Sequence, residues 1–250
     1  MPRYKLTIEY DGSVFAGWQR QDNAPSVQQT LEAAAEALDG AAVQVIGAGR
    51  TDSGVHATGQ VAHLDLTKTI RAGKVRDALN AHLRPHPIAV LEAEDADPGF
   101  HARFDATGRS YLYRIVNRRA DLTLDRGRAW RVAVDLDAEA MNAAARAFIG
   151  RHDFTTFRDA NCQAETPVKT LKSISVERVG QLIEVRTSAR SFLHRQVRSM
   201  VGSLMEVGRG RESVGWIGEI LAAADRTKCG PVAPADGLYL VDVSYEPLEA

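Results

Sequence analysis

The chain has 250 residues, a formal net charge of −1, 44% apolar residues and 25% charged residues, which is typical of a soluble globular protein. No stretch approaches the ~20 apolar residues needed to span a bilayer, and the start has no apolar run resembling a signal sequence, so a cytoplasmic protein without membrane association is expected. Cys162 and Cys229 are too few and too far apart for a disulfide framework or a metal knuckle, and are expected to be unpaired thiols.

The first half of the sequence predicts a strand, a helix, two strands, a helix and a strand. Polar and apolar residues alternate over residues 4–10, the pattern of a half-buried strand. Ser26 and Gln29 form a capping box that predicts a helix over residues 27–38, ended by Gly40. The further predictions are strands at 43–46 and 60–66, a helix at 74–83 before a proline, and a strand at 88–92.

The second half repeats this order with one additional helix. Asp137 is the predicted cap of a helix that runs to Ile149, and Ser213 is the predicted cap of a shorter helix over 216–221. Apolar residues recur at helical spacing from Leu193 to Met205, and Gly208 ends that helix. Strands are predicted at 110–116, 171–177, 182–187 and 238–245.

These elements predict an α+β fold of two ferredoxin-like halves, each with the order β-α-β-β-α-β. The predicted domains are residues 1–100, which carry the glycine-rich loop described next, and residues 101–250. No Pro/Gly/Ser linker separates the halves. We therefore expect their sheets to continue edge to edge as one mostly antiparallel sheet with a central cleft. A four-stranded sheet of this topology is also the frame of common RNA-binding modules, which makes that cleft a candidate RNA-binding cleft.

Residues 47–57 are predicted to form a loop held between two strands. Three glycines give its backbone unusual freedom, and Arg50 and Asp52 lie two residues apart within it. A positioned, ionised carboxylate beside an arginine can act as a nucleophile or a base. Asp-Ser-Gly between strands is also common turn chemistry, in which the aspartate bonds its own backbone. The residues alone leave both interpretations open.

Arginine is concentrated in two segments despite the near-neutral total charge. Residues 103–131 contain eight arginines against three aspartates, and residues 186–211 contain six arginines against one glutamate, so each segment has a local excess of +5. Arginine suits bidentate phosphate contacts, which favours a nucleic-acid partner. Arg118 and Arg119 are the predicted phosphate contacts of the first segment. For any single arginine, a solvated surface position remains the alternative.

The nine residues Gly49-Arg50-Thr51-Asp52-Ser53-Gly54-Val55-His56-Ala57 resemble the signature of the tRNA pseudouridine synthase A family. The similarity covers nearly the whole chain in order. It continues at Tyr10-Asp11-Gly12 with Gly17-Trp18-Gln19, at Arg103-Phe104-Asp105-Ala106 with Arg109-Ser110-Tyr111, at Phe192-Leu193-His194 with Arg198, and at Gly237-Leu238-Tyr239-Leu240. Arg195 and Gln196 depart from the residues more usual in the family, so their roles stay open.

This resemblance implies an isomerase that converts uridine to pseudouridine at tRNA positions 38, 39 and 40, in the anticodon stem-loop. Asp52 would be the catalytic residue, and Arg50 would occupy the space left by the extruded base and hold phosphate. Tyr111 would stack on the uracil and take part in removing the C5 proton. Arg198 would pair with Asp52 and keep its pKa low. Arg109 and Leu240 would be further substrate contacts.

The chemistry that the resemblance implies needs no organic cofactor and no metal, and a tRNA lying across a homodimer is the expected partner. His56 and His63 have no cysteine pair or carboxylate at ligand spacing, so the residues themselves predict no metal site. Two alternatives remain. One is a pseudouridine synthase acting at another RNA site. The other is a non-catalytic RNA-binding module in which Asp52 is only a turn residue.

Overall fold

The protein is described here by a computed structural model, which covers residues 1–246 and shows a mixed α+β architecture. In chain order its strands and α-helices are β1 (Arg3–Tyr10), α1 (Val27–Asp39), β2 (Ile46–Gly47), β3 (His56–Asp65), α2 (Ala72–Leu83), β4 (Ile88–Ala96), β5 (Gly108–Asn117), β6 (Trp130–Val132), α3 (Ala138–Ala145), β7 (Gly150–Asp153), β8 (Val168–Val179), β9 (Leu182–Ala189), α4 (Gln196–Gly208), α5 (Trp216–Ala223) and β10 (Leu238–Ser244).

The chain folds into two compact units. The first comprises Met1–Arg109 together with the described residues from Tyr239 onward, and the second comprises Ser110–Leu238. The carboxy-terminal strand therefore belongs to the first unit, although it is far from the rest of that unit in sequence. The sequence-based division at residues 100 and 101 stays a prediction.

The sheet of the first unit is built around β1 and β3. The β1 strand pairs antiparallel with β3 on one side and with β4 on the other, and β2 pairs antiparallel with β3. The β10 strand pairs with β3 in the parallel direction, with Tyr239 opposite His56. Alternate residues of β1, among them Leu6 and Ile8, are fully buried. This alternation confirms the predicted half-buried strand and forms the core that supports the start of β3.

The second unit contains the strand order β5-β9-β8-β7, in which β7, β8 and β9 pair antiparallel. The short β6 strand pairs with β5 in the parallel direction. Helix α3 packs on β8 and on α4, and three phenylalanines, Phe148, Phe154 and Phe157, are fully buried. Cys162 and Cys229 are both free thiols. Among residues 1–246, none of the helices has the length and apolar character required to cross a bilayer.

Two of the three predicted helix caps are confirmed. The Ser26 hydroxyl accepts a hydrogen bond from the Gln29 N–H at the start of α1, and the Asp137 carboxylate accepts one from the Ala140 N–H at the start of α3. Gly40 ends α1 in the left-handed conformation with φ +81°. The Ser213 cap is wrong, because α5 begins at Trp216 after Gly215 and has no side-chain cap.

The strand predicted over residues 43–46 is largely wrong, since β2 contains only Ile46 and Gly47. Side chains of α1 take the place of a neighbouring strand at Val45. The Glu32 carboxylate accepts from the Val45 N–H at 3.2 Å, and the Gln28 amide donates to the Val45 carbonyl at 3.0 Å. Val45 is fully buried, as an apolar strand residue would be, but its backbone N–H and carbonyl form hydrogen bonds with side chains of α1.

The predicted start of α4 and end of α3 also need correction. Leu193 precedes α4, because the side-chain oxygen of Gln196 accepts from the Leu193 N–H at 2.8 Å and holds the chain in a turn. Arg195 then adopts a positive φ of 58°. Helix α3 ends at Ala145 and continues only as a short 3₁₀ turn to Phe148. The short strands β6 and β7 were not predicted.

His63 lies on β3 and is almost completely buried. Its Nδ1 accepts a hydrogen bond from the Ala102 N–H at 3.1 Å. Burial, with the nearby charges of Arg3 and His101, lowers the pKa of His63 to about 4. The unfolded chain binds this proton near pH 6.5, so folding keeps the imidazole neutral where the unfolded chain would protonate it.

We predict that His63 contributes to acid sensitivity in a defined window. Its contribution is fully present above pH 6.5 and is lost as pH falls from 6.5 to about 4, by up to about 3 kcal/mol. His63→Asn retains an acceptor for the Ala102 N–H but cannot ionise. Urea unfolding at several pH values should therefore show a shallower decline of stability in this window for His63→Asn. His82→Asn, at an exposed histidine of α2, is the matched control. Equal slopes for His63→Asn and the natural protein would contradict the prediction.

Candidate functional site

The loop that carries Asp52 connects β2 to β3 and spans residues 48–55, which we call the motif loop. The predicted loop was longer, because β3 already begins at His56. Thr51 and Val55 are buried, whereas Arg50 is exposed and Asp52 is half-buried. The motif loop is thus anchored in the core on both sides of Asp52, and its two charged residues reach the surface.

Side chains from other segments fix the start of the motif loop. The amide of Gln60 brackets Gly49, accepting from its N–H at 3.2 Å and donating to its carbonyl at 2.8 Å. Gln60 is fully buried, so this pair of bonds satisfies an otherwise costly polar group. The guanidinium of Arg109 donates to the Ala48 carbonyl at 2.9 Å. Both contacts hold the backbone just before Arg50.

A second loop, residues 11–18, packs directly against the motif loop. The Trp18 N–H donates to the Thr51 carbonyl at 3.0 Å, and the Tyr10 hydroxyl lies 2.8 Å from the Thr51 hydroxyl oxygen. The Gly54 N–H approaches the Phe15 carbonyl at 3.4 Å. Bonds on both sides of Asp52 therefore tie its backbone to this second loop.

Glycine makes this close packing possible at three positions. A Cβ at Gly12 would overlap the Val55 carbonyl oxygen, and a Cβ at Gly47 would overlap the Trp18 ring. Gly17 has a φ of +101°, and a Cβ there would stand 2.6 Å from the Thr51 carbonyl oxygen. Any other residue would push the two loops apart or strain the backbone. The position of Asp52 thus depends on the absence of a side chain at these three glycines.

His56 locks the beginning of β3 to the same assembly. Its Nδ1 accepts from the Gly12 N–H at 3.0 Å, and its ring stacks on Tyr239 with centroids 4.7 Å apart. Asp11 Oδ1 also lies 3.2 Å from Nδ1. Asp11 Oδ1 also accepts from the Ser13 N–H at 3.0 Å. His56 thus joins the start of β3 to the loop of residues 11–18 and to β10.

The resulting arrangement presents one carboxylate on a rigid turn beside one exposed guanidinium. The Val55 N–H donates to the Asp52 carbonyl at 3.1 Å and closes the turn behind the side chain. A carboxylate held in this way can approach a sugar carbon without first losing backbone freedom. Across residues 1–246, no three His, Cys, Asp or Glu side chains are grouped as a site for a metal ion.

Arg109 and Leu240 also belong to the first unit. Besides Ala48, the Arg109 guanidinium donates to the carbonyls of Arg103 and Ala106, at 2.8 and 3.1 Å. Leu240 is fully buried opposite Ala57 in the parallel β3–β10 ladder. Both residues therefore support the motif loop and its strand, and their direct contact with substrate stays a prediction.

Tyr111 and Tyr113 lie on β5 in the second unit and have different surroundings. Tyr113 is fully buried, its hydroxyl donates to the Pro234 carbonyl at 2.8 Å, and burial raises its pKa well above the usual value. Tyr111 is only half-buried and meets Phe192 edge to face, with centroids 5.2 Å apart. Tyr113 is therefore a core residue, whereas Tyr111 has ring surface that a ligand can reach.

Arg198 projects from α4 toward the segment that follows α5. Its Nε donates to the Ala233 carbonyl at 2.8 Å, and the Ala233 N–H donates back to the Arg198 carbonyl at 3.1 Å. A Cβ at Gly202, one turn further along α4, would overlap the Pro231 carbonyl oxygen. The close approach of this segment to α4 fixes the direction of the Arg198 side chain.

The first arginine segment keeps part of its excess charge. Arg131 pairs with Asp121 at 3.0 Å, and Arg114 approaches Asp125 at 3.7 Å. Arg118 instead donates to the backbone carbonyls of Ala120 and Asp121, which position its guanidinium without neutralising it. Arg119 is exposed. The fold thus leaves the predicted phosphate contacts charged.

The second arginine segment is more neutralised than its sequence indicates. Glu206 lies within 3.7 Å of both Arg209 and Arg211. Two further partners lie outside residues 186–211, since Glu184 pairs with Arg186 at 2.6 Å and Asp159 pairs with Arg195 at 2.9 Å. A count over one stretch of sequence cannot include carboxylates that the fold brings in from other stretches.

Sequence reasoning missed the supporting roles of Gln60, Thr51 and His56. The only signal in the sequence was a polar residue at a position whose neighbours predicted burial. Gln60 has this character, since it is polar and is followed by apolar residues of the predicted strand, whereas His56 lies in the predicted loop and gave no such signal. Buried polar groups require partners, so such positions predict hydrogen bonds without predicting to which atoms.

Comparisons with known proteins give one consistent result. A family model described as tRNA pseudouridine synthase matches residues 6–105 and 144–246. A protein named tRNA pseudouridine synthase A from Maricaulis maris is 67% identical over 245 residues, which are 98% of this chain and 98% of that protein. Proteins of the same name from Afipia carboxidovorans and Hyphomonas neptunium are 63% and 61% identical over 98% of this chain, and 100% and 99% of their own lengths are covered.

We predict that Gly17→Ala displaces the motif loop and destabilises the protein. The methyl group would meet the Thr51 carbonyl in a left-handed backbone, which should lower the free energy of unfolding by about 2 kcal/mol or more. Gly218→Ala is the matched control, because nothing lies within 4 Å of its added Cβ in α5. It should be neutral or stabilising by up to about 1 kcal/mol. Thermal unfolding measures both, and equal stability of the two variants would refute the packing described for Gly17.

Proposed function

Because the chain belongs to the tRNA pseudouridine synthase family, we propose that its substrates are the uridines at positions 38, 39 and 40 in the anticodon stem-loop of tRNA. The family membership makes the protein an isomerase that forms pseudouridine in tRNA. The observation that supports Asp52 as its catalytic residue is the motif loop, which presents a single half-buried carboxylate on a backbone fixed from both sides. The three tRNA positions rest on the resemblance of the motifs.

The reaction is an isomerisation that conserves every atom except for an exchanged proton. The N1 to C1′ bond breaks, the uracil turns, C5 bonds to C1′, and the hydrogen on C5 leaves as a proton while N1 gains one. We propose that Asp52, in its ionised form, assists this change either by attack at C1′ or by removing a sugar proton to give a glycal. Both routes need a carboxylate and neither needs a redox group.

Arg50 and Tyr111 are proposed to stabilise the extruded state of the target uridine. A uridine stacked in RNA must leave its helix before a side chain can reach C1′, which costs a few kcal/mol. Arg50 is exposed two residues from Asp52, which supports the proposal that its guanidinium fills the vacated space and binds phosphate. The half-buried ring of Tyr111 is proposed to stack on the uracil, a contact worth ~1 to 3 kcal/mol.

Further charged contacts are proposed for the substrate complex. Arg198 contributes a positive charge that favours the ionised carboxylate, and Arg118 and Arg119 bind the phosphate backbone of the tRNA. Arg118 keeps its charge while backbone carbonyls orient it, which supports this role. Arg109 and Leu240 support the motif loop and its strand, and their contact with substrate is proposed from the resemblance of the motifs.

We also propose that each half is ferredoxin-like. In the first half the antiparallel order β4-β1-β3-β2, with α1 and α2 following β1 and β3, supports this topology. In the second half the order β5-β9-β8, with α3 and α4 as the intervening helices, agrees with it. The continuous sheet, its central cleft, a homodimer and a cytoplasmic location stay proposals from the sequence.

Mapping of modified positions tests the proposed substrate. Transcripts of one tRNA are prepared with uridine at position 38, 39 or 40 singly, and the matched control carries cytidine at all three. After incubation with the protein, carbodiimide labelling and primer extension should report pseudouridine at the single uridine of each transcript and none in the control. Pseudouridine at a different position in tRNA would overturn the proposed site.

A further inference from the structure

Phe104 is exposed to 71% on a turn that is otherwise tightly bonded. The His101 N–H donates to the Asp105 carboxylate at 2.7 Å, and the Asp105 N–H donates back to the His101 carbonyl at 3.0 Å. His101 Nδ1 accepts from the N–H groups of both Arg103 and Phe104, each at 3.2 Å. The turn is therefore closed from within, and its large apolar side chain does not take part in closing it.

A row of aromatic rings supports Phe104 from behind. The Phe104 ring stacks on His101 with centroids 4.2 Å apart and planes 28° apart. His101 meets His63 at 4.9 Å, and His63 meets Phe100 at 6.1 Å. Since His63 is almost fully buried, the row extends from the core to the surface. One face of the Phe104 ring is thereby held in place, and the ring as a whole stays mostly in water.

A single exposed apolar side chain is normal in proteins and does not by itself indicate a binding site. Phe104 differs in that one face of its ring stacks on His101 and a cation lies beside it. The Arg103 guanidinium lies 6.0 Å from the centre of the Phe104 ring, and Arg103 is itself exposed. An aromatic plane with an adjacent arginine is the combination that binds an unpaired nucleobase and its phosphate.

The turn that carries Phe104 is linked to the motif loop through hydrogen bonds from one side-chain nitrogen. Arg109 Nη2 donates to the Arg103 carbonyl at 2.8 Å and to the Ala48 carbonyl at 2.9 Å. Ala48 precedes Asp52 by four residues in the sequence. The turn that carries Phe104 and the start of the motif loop are therefore neighbours, so an RNA strand bound at the motif loop, as proposed above, would lie beside this turn.

We propose that Phe104 is a stacking platform for an unpaired nucleobase of the bound tRNA, and that Arg103 binds the phosphate of that nucleotide. This inference rests on the proposed function, because it takes tRNA as the substrate. A second copy of the chain is the competing occupant of an exposed aromatic ring. The charge of Arg103 beside the ring favours an anionic partner.

Substitutions at Phe104 separate stacking from general apolar contact. Phe104→Ala and Phe104→Leu should each weaken tRNA binding about tenfold or more, because neither retains a π face, with the larger part of the kinetic loss in KM. Phe104→Trp should bind as well as the natural protein. Leu91→Ala, at an exposed apolar residue flanked by Glu92, is the matched control and should bind normally. Natural affinity in Phe104→Ala or in Phe104→Leu would overturn the proposal.

Salt dependence separates the ring from its neighbouring cation. The loss caused by Phe104→Ala should be the same factor at low and high salt, whereas Arg103→Gln should flatten the slope of log K against log salt by about one unit. All variants remain soluble and folded by circular dichroism if the turn is closed as described, since its hydrogen bonds come from the backbone, His101 and Asp105. If the slope for Arg103→Gln equals that of the natural protein, the proposed contact between Arg103 and phosphate is contradicted.

Photocrosslinking identifies the occupant directly. The protein with Phe104→p-benzoylphenylalanine should crosslink to an unpaired nucleotide of tRNA. A crosslink only to a second protein chain would overturn the proposal and assign Phe104 to a subunit contact. Failure of the proposed function is a separate outcome. It would appear as absence of pseudouridine at positions 38, 39 and 40 of tRNA incubated with the natural protein.

Discussion

Close packing at three glycines, two of them against backbone and one against a tryptophan ring, is the constraint on which the site depends. Gly12 and Gly17 allow the loop of residues 11–18 to lie directly on the motif loop, and Gly47 makes room for the Trp18 ring. Hydrogen bonds can then form between main-chain atoms of the two loops, which side chains would otherwise hold apart. The result is a carboxylate whose backbone has little freedom left to lose, which is the condition for efficient attack at a fixed carbon.

Local signals predicted much of the fold. The alternation of β1 and the caps at Ser26 and Asp137 depend on residues within a few positions of one another, and the structure confirms them. The strand at residues 43–46 could not be predicted correctly, because the partners of Val45 are side chains of α1. The same holds for α4, where Gln196 caps a turn back to Leu193 and so delays the helix. Both of these errors arose where a side chain took a bond that periodicity assigns to the backbone.

The candidate site was predictable to the extent that one stretch of sequence carries it. The motif loop was found from its glycines, charges and family resemblance, whereas Gln60 and Arg109 reach it from other segments. The charge of the arginine segments was overestimated for the same reason, since Asp159 and Glu184 lie outside the counted residues. Pairing between distant parts of a chain is set by the fold, and counts along the sequence do not contain it.

The Asp52 carboxylate is proposed to catalyse the isomerisation. Release of tritium from tRNA labelled at uracil C5 tests this role most directly. Joining C5 to C1′ must expel the C5 hydrogen, so the assay reports isomerisation itself. Asp52→Asn keeps the size and turn-forming capacity of the side chain but is a far poorer nucleophile and base. Asp95→Asn, at an exposed position of β4, is the control. We expect release by Asp52→Asn to fall by orders of magnitude while its affinity for tRNA changes by less than about tenfold. Retained release by Asp52→Asn at the rate of the control would contradict the assignment.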